Sequence, residues 1–231
     1  MPTFTAESKP ADIIKIFPKA SDLFKAHRID FCCGGDKALQ ESFDEKGLDG
    51  EEILSTLNST YEEWSIENDD IVDWDEVPIP ELIEHIIYHH HAYLKQELPA
   101  LREYVTRVFQ RHGMEQSHLR DLYRLYNEFQ MEMEEHSLKE EAEVFPLMRE
   151  YVENPSEELL EKIKIANGGL EDEHDVAGDL LKKMRSITND FEPPLHACGT
   201  YRVAYARLEE LEEETFQHVH LENNILFKKF Q

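Results

Sequence analysis

One helical pattern occurs twice in this chain and limits what it can fold into. His136-Ser-Leu-Lys-Glu140 is followed by Val144-Phe145, and His218-Val-His-Leu-Glu222 by Leu226-Phe227, so both stretches read H-x3-E-x3-[VL]-F. A spacing of i, i+4 sets His and Glu on the same helix face, one turn apart. Both copies lie in long amphipathic segments. Four such segments run over 80–111, 116–152, 156–187 and 197–230, broken by RHGMEQS, ENPS and TNDFEPPLHACG. Long helices joined by short breaks rich in Gly, Pro and Asn predict an all-α chain with a C-terminal antiparallel four-helix bundle. Pro99 and Pro146 fall inside two segments, where each should kink or locally break its helix.

Helical phase selects the inward residues. In the first segment the stripe is Ile83, Ile87, His91, Leu94, Leu98, Leu101 and Val105. His91 therefore faces inward, His90 sits at the edge, and His89 shares a more polar face with His85. The second stripe is Phe129, Met133, His136, Glu140 and Leu147; the third is Leu170, His174, Ala177, Leu181 and Met184. The fourth is Leu208, Leu211, Thr215, His218, Glu222 and Ile225. His136 follows His91 by 45 residues and His218 follows His174 by 44, as in a duplicated helix pair. Two such pairs would bring four histidines and two carboxylates into one core. Buried carboxylates without partners each cost several kcal/mol, and a metal removes that penalty. Structural zinc favours four ligands, often thiolates. Six N/O ligands from four helices suit two iron or manganese ions, with Glu140 and Glu222 as bridges and positions left for an oxo or hydroxo bridge and a small ligand.

Composition narrows the partners. With 50 acidic and 24 basic residues the formal net charge is −26, which repels nucleic acid and anionic membrane surfaces. No apolar run is long enough to span a bilayer. The N-terminus lacks the basic region and apolar core of a signal peptide, and three cysteines exclude a disulfide scaffold, so a cytoplasmic protein is expected.

The first 61 residues read as a small helical domain, with 62–79 as an acidic linker and 80–231 as the bundle. Ser8 could cap a first helix with Pro10 in its opening turn, and Pro18 could open a second. Gly34-Gly35 should stop that helix, and Asp49 is a candidate N-cap for the next. Between them stands DFCCGG at 30–35. Its adjacent cysteines could pair in a strained, easily reduced ring, bind metal, or simply pack. Cys198, after Pro193-Pro194, reads as packing.

These motifs together make the chain resemble the repair-of-iron-centres proteins, the ScdA/YtfE-type family of hemerythrin-like di-iron proteins. The resemblance is carried by PKASDLFKAHRIDFCCGG at 18–35, HHAYLKQELP at 90–99, HSLKEEAEVFP at 136–146, EHDVAG at 173–178 and HVHLENNILF at 218–227. It spans nearly the whole chain; LFKK at 226–229 departs from relatives that have proline after LF, beyond the residues of interest. The resemblance implies two iron ions held by His91, His136, Glu140, His174, His218 and Glu222. It implies repair of iron–sulfur clusters damaged by oxidative or nitrosative stress, with the di-iron centre as a labile iron source and damaged cluster proteins as partners. Cys32 and Cys33 become a thiol pair for redox or iron transfer, and His220 at most an outer neighbour of the ligands. Two other readings stand beside it: an enzyme reducing nitric oxide at the irons with help from the cysteines, and a module that senses oxygen or iron. Oligomeric state, including a homodimer, stays open at this level.

Overall fold

The structure is a computed structural model that describes residues 3–67 and 72–231. The described residues are helical, without strands. They divide into two compact units, residues 1–78 with 219–228, and 79–218 with 229–231. No helix is long and apolar enough to cross a membrane.

In the first unit, α1 spans Pro10–Ile16, α2 Ala20–Ala26, α3 Leu39–Lys46 and α4 Gly50–Glu67. Proline opens α1, but the residue at its N-cap is Lys9. The Ser8 hydroxyl instead accepts from the Thr5 amide at 2.9 Å, so Ser8 shapes the preceding turn rather than the cap. Helix α2 ends well before the glycines, at a turn where Arg28 takes a left-handed φ of 55°. Asp49 does cap α4, accepting from the Glu52 amide at 3.1 Å. Ile13, Ile14, Phe17, Phe24, Leu39, Phe43, Ile53 and Leu57 are buried. Phe17 meets Tyr61 and Trp64 at ring-centroid distances of 5.3 and 5.1 Å. That aromatic packing explains why α4 continues through Glu67, six residues into the stretch expected as a linker. Part of that stretch, 68–71, lies outside the described residues.

The second unit is built from four long helices. Helix α5 (79–112) holds a π turn, Ile86–His91, and α6 (118–153) holds another, Glu140–Val144. Helix α7 is Glu157–Ile187, and α8 (199–230) belongs to this unit through His218 and to the first unit over 219–228, where a third π turn, Glu222–Leu226, lies. Ser156 caps α7 by accepting from the Leu159 amide at 3.2 Å. Polar contacts close the four into a ring. Tyr126 donates to the Leu98 carbonyl at 2.7 Å (α6 to α5), and His136 meets Glu173 at 2.9 Å (α6 to α7). Arg185 donates to Glu212 at 2.8 Å (α7 to α8), and Arg207 to Glu97 at 2.7 Å (α8 to α5). Neighbours run antiparallel: His91 lies by Glu140 while Phe109, a few turns on, lies by Tyr123. Between them Leu98, Leu101, Phe129, Met133, Leu181, Met184, Tyr205 and Leu208 form the apolar core.

The prolines behave unequally. The helix Ala92–His112 continues through Pro99, which is exposed, so water can take the acceptor its missing N–H leaves. Pro146 stands in the first turn after the π turn Glu140–Val144, where a proline is tolerated. The π turns also shift the stripes, because each carries one residue more than an α turn. Ile86 is buried where Ile87 was expected, and Met148 where Leu147 was expected.

Candidate metal centre

Among the described residues, two sets of four buried side chains could each hold a metal ion: His91, Glu140, His218 and Glu222, and His136, Glu140, His174 and Glu222. Within each set one ligand atom per residue lies within 4.8 Å of all the others. The two sets contain the six residues selected by phase, and Glu140 and Glu222 belong to both. Three of the four helices place these residues at a π turn: His91 closes the first, Glu140 opens the second and Glu222 opens the third. The pairs His136–Glu140 and His218–Glu222 keep the i, i+4 spacing of a regular helix, and the added residue changes the phase of the positions that follow them.

Individual contacts show what each residue offers. Glu140 Oε2 stands 3.2 Å from Nε2 of both His91 and His136. The Nε2 atoms of His136 and His174 face each other at 3.0 Å. Both carboxylates are fully buried, at 0% exposure. Outside the sets, carboxylates hold the rings. His91 Nδ1 donates to Glu141 at 2.9 Å and His136 Nδ1 to Glu173 at 2.9 Å. A carboxylate on Nδ1 fixes the proton there and leaves the Nε2 lone pair facing the cluster. The His136 hydrogen bond, with Lys139 beside it, holds the Glu173 carboxyl down at about 2.

The donor set suits iron. It is imidazole and carboxylate only, without thiolate, and buried carboxylates of this kind are stabilised by a cation.

The other histidines differ from one another. His90 is buried, with Nδ1 2.7 Å from Glu214 and its ring stacked on His218 at 5.3 Å and 8°. His89 is exposed, stacked on His85 at 4.2 Å. Burial, with His89 and His90 adding to it, lowers His85 to about 4. His220 is buried outside the two sets and lies within the first unit, 3.3 Å from the Phe31 carbonyl.

The DFCCGG turn is organised around Asp30. One oxygen, Oδ1, accepts from the Cys32 and Gly34 amides, each at 3.1 Å, and from the Cys32 thiol at 3.3 Å. The two sulfurs are 3.8 Å apart and unbonded. Cys33 is half-buried and Cys32 buried. Hydrogen bonding with Cys33, burial and the Asp30 charge push the Cys32 thiol well up. Gly35 is required sterically, since a Cβ there would stand 2.3 Å from the Phe31 carbonyl oxygen. Cys198 does not pack as expected: it is exposed, 3.4 Å from His112 Nε2.

Sequence reasoning missed Glu141, Glu173 and Glu214. Glu141 follows Glu140, Glu173 precedes His174 and Glu214 stands one turn before His218, but among 50 acidic residues such nearness alone carries no signal.

Comparison with known proteins agrees with this geometry. Residues 82–230 match the hemerythrin HHE cation binding domain, and residues 6–61 match the ScdA N-terminal domain, described as a domain of unknown function. The iron-sulfur cluster repair protein ScdA of Staphylococcus epidermidis is 35% identical over 226 residues, covering 97% of this chain and 98% of that one. ScdA of Staphylococcus haemolyticus is 34% identical over 226 residues, 98% of this chain and 99% of its own. The iron-sulfur cluster repair protein YtfE of Escherichia coli O157:H7 is 34% identical over 212 residues, 92% of this chain and 91% of its own.

Proposed function

Because this chain belongs to the ScdA/YtfE family of iron-sulfur cluster repair proteins, we propose that it holds two iron ions through His91, His136, Glu140, His174, His218 and Glu222 and gives iron up to damaged iron–sulfur proteins. The observation that carries this reading is the sharing of Glu140 and Glu222 between the two four-residue sets. A carboxylate has two oxygens and can serve two cations at once, which an imidazole with one inward nitrogen cannot.

The chain's own residues divide the work. Glu141 and Glu173 orient His91 and His136 and keep their Nε2 atoms deprotonated toward the ions. A centre made of imidazole and carboxylate binds ferrous iron less tenaciously than thiolate sites do, which suits a store that must release. Bound there, iron supplies Lewis acidity and redox chemistry. The first 61 residues bring the thiols. Cys33, the more exposed sulfur, is the one that meets an outside group first, and Cys32 completes a soft pair behind it.

Iron-loaded protein is mixed with an apo-cluster acceptor, and acceptor activity and iron content are followed together. Transfer is expected from the native chain. The variant Cys32→Ser with Cys33→Ser should keep its iron and restore the acceptor poorly. Loss of iron together with activity would mean that the cysteines hold the store. Turnover of nitric oxide with an electron donor, without transfer to the acceptor, would replace donation by the reductase reading.

A further inference from the structure

The final helix carries two pairs of side chains in alternation. His218 and Glu222 are one turn apart and belong to the candidate metal sets. His220 and Asn224 are also one turn apart, rotated by about half a turn from the first pair. The second pair meets the cysteine turn. Asn224 Nδ2 donates to the Cys32 carbonyl at 3.0 Å. His220 Nδ1 lies 3.3 Å from the Phe31 carbonyl and 3.2 Å from Asn224 Nδ2. The His220 ring also meets Phe31 edge-on at 6.3 Å. Both residues are buried, at 3% for His220 and 5% for Asn224. Two successive carbonyls of DFCCGG are thus fastened to one helix face. Asn224 also lies inside the π turn that Glu222 opens, Glu222–Leu226.

We propose that Asn224, with His220, is a positioning residue that sets how the Cys32-Cys33 thiols are presented, and that it relays the state of Glu222 to them. The relay is short: Glu222 and Asn224 are two residues apart in one π turn, an element found frequently at functional sites. What Glu222 holds biases that turn, and the turn aims the Asn224 amide at the Cys32 carbonyl. A buried amide cannot lose that acceptor cheaply, so the loop follows the helix. Thiol access then depends on whether the metal site is filled. This inference rests on the reading of Glu222 as an iron ligand and of the cysteines as the receiving pair.

The test uses full-length protein carrying Cys33→Ser and Cys198→Ser, which leaves Cys32 as the one remaining thiol of three. Alkylation of Cys32 by iodoacetamide is timed in metal-free and iron-loaded samples, with iron content measured on each. Asn224→Ala should speed alkylation roughly fivefold or more, the rate equivalent of one lost hydrogen bond, without lowering iron content. Removing iron should speed alkylation in the Asn224 chain and leave the Ala variant unchanged. Asn224→Gln, which keeps the amide on a longer arm, should recover part of the protection. His220→Asn provides a second route should Asn224→Ala fold poorly, and should also speed alkylation. Equal rates in the metal-free Asn224 and Ala chains would overturn the positioning role. A metal dependence that survives intact in the Ala variant would overturn the relay. If the Asn224 chain binds no iron, the metal reading fails and the relay with it, while the metal-free rates still decide the positioning role.

Discussion

Glu140→Ala and His91→Ala should have different effects on iron content, because Glu140 belongs to both four-residue sets and His91 to only one. Glu140 Oε2 stands 3.2 Å from the inward nitrogens of His91 and His136, one from each set, and the residue has no exposure to water. Removing it takes a ligand and a negative charge from both positions at once. Removing the His91 ring takes one neutral ligand from one position and leaves His136, Glu140, His174 and Glu222 together. The native chain should carry about two irons, His91→Ala about one, and Glu140→Ala close to none. Stability should follow. A site filled at a free-metal concentration 100-fold above Kd stabilises the folded state by about 2.7 kcal/mol. For a chain of this length that is roughly 5–10 °C in Tm per site. Iron added to metal-free native protein should produce this rise, and iron added to Glu140→Ala should not. Iron is counted by a colorimetric chelator assay and Tm by calorimetry. Equal losses in the two variants, or full iron in Glu140→Ala, would refute the shared-carboxylate argument.

Other perturbations test single contacts. Glu141→Gln should weaken iron binding roughly 10–100-fold by loosening the His91 ring, read by competition with a chelator, while leaving the metal-free Tm nearly unchanged. Glu212→Ala should cost about 3–5 kcal/mol in denaturant unfolding, because Glu212 is 1% exposed and pairs in bidentate fashion with Arg185; adding Arg185→Met should return much of that loss. Lys228, 2.8 Å away, holds the Asp36 carboxyl below its ordinary value. A depressed carboxylate contributes stability above its unfolded pKa and loses it as pH falls through the folded one. Asp36→Asn should therefore be less stable than native at pH 6, and the two should converge as pH drops below about 4.

Periodicity made the bundle readable, because four stripes at helical spacing and three breaks with helix-stopping residues admit few arrangements. It also carried the phase of His91 and His174, which sit between apolar residues a turn away, and of His136 and His218, which continue apolar stripes toward Glu140 and Glu222. It failed where the helix itself changes pitch. A reading at 3.6 residues per turn places Ile87 and Leu147 inside, whereas Ile86 and Met148 are buried beyond or within π turns that no residue type announces. The carboxylates that orient the histidines were invisible for another reason. Glu141 and Glu173 are chosen by tertiary contact among many acidic residues, so only the fold distinguishes them. The linker expectation erred at its start because Trp64, in an otherwise acidic stretch, packs on Phe17 and keeps the helix going.

The three π turns also bear on where the chain can change length. A π turn is an α-helix with one residue inserted and the strain confined to that turn. Deleting one residue elsewhere in a helix rotates everything after it by about 100° and turns the core-facing side outward. Deleting one within Glu140–Val144 lets the turn close into ordinary helix while the segments on either side keep their faces. Each π turn is thus a place beside the candidate ligands where the chain can change length by one residue without turning the rest of the bundle. A deletion within Ile86–His91 or Glu222–Leu226 would likewise leave the core-facing side of its helix in place, so length changes here are felt at the candidate ligands and not in the apolar core.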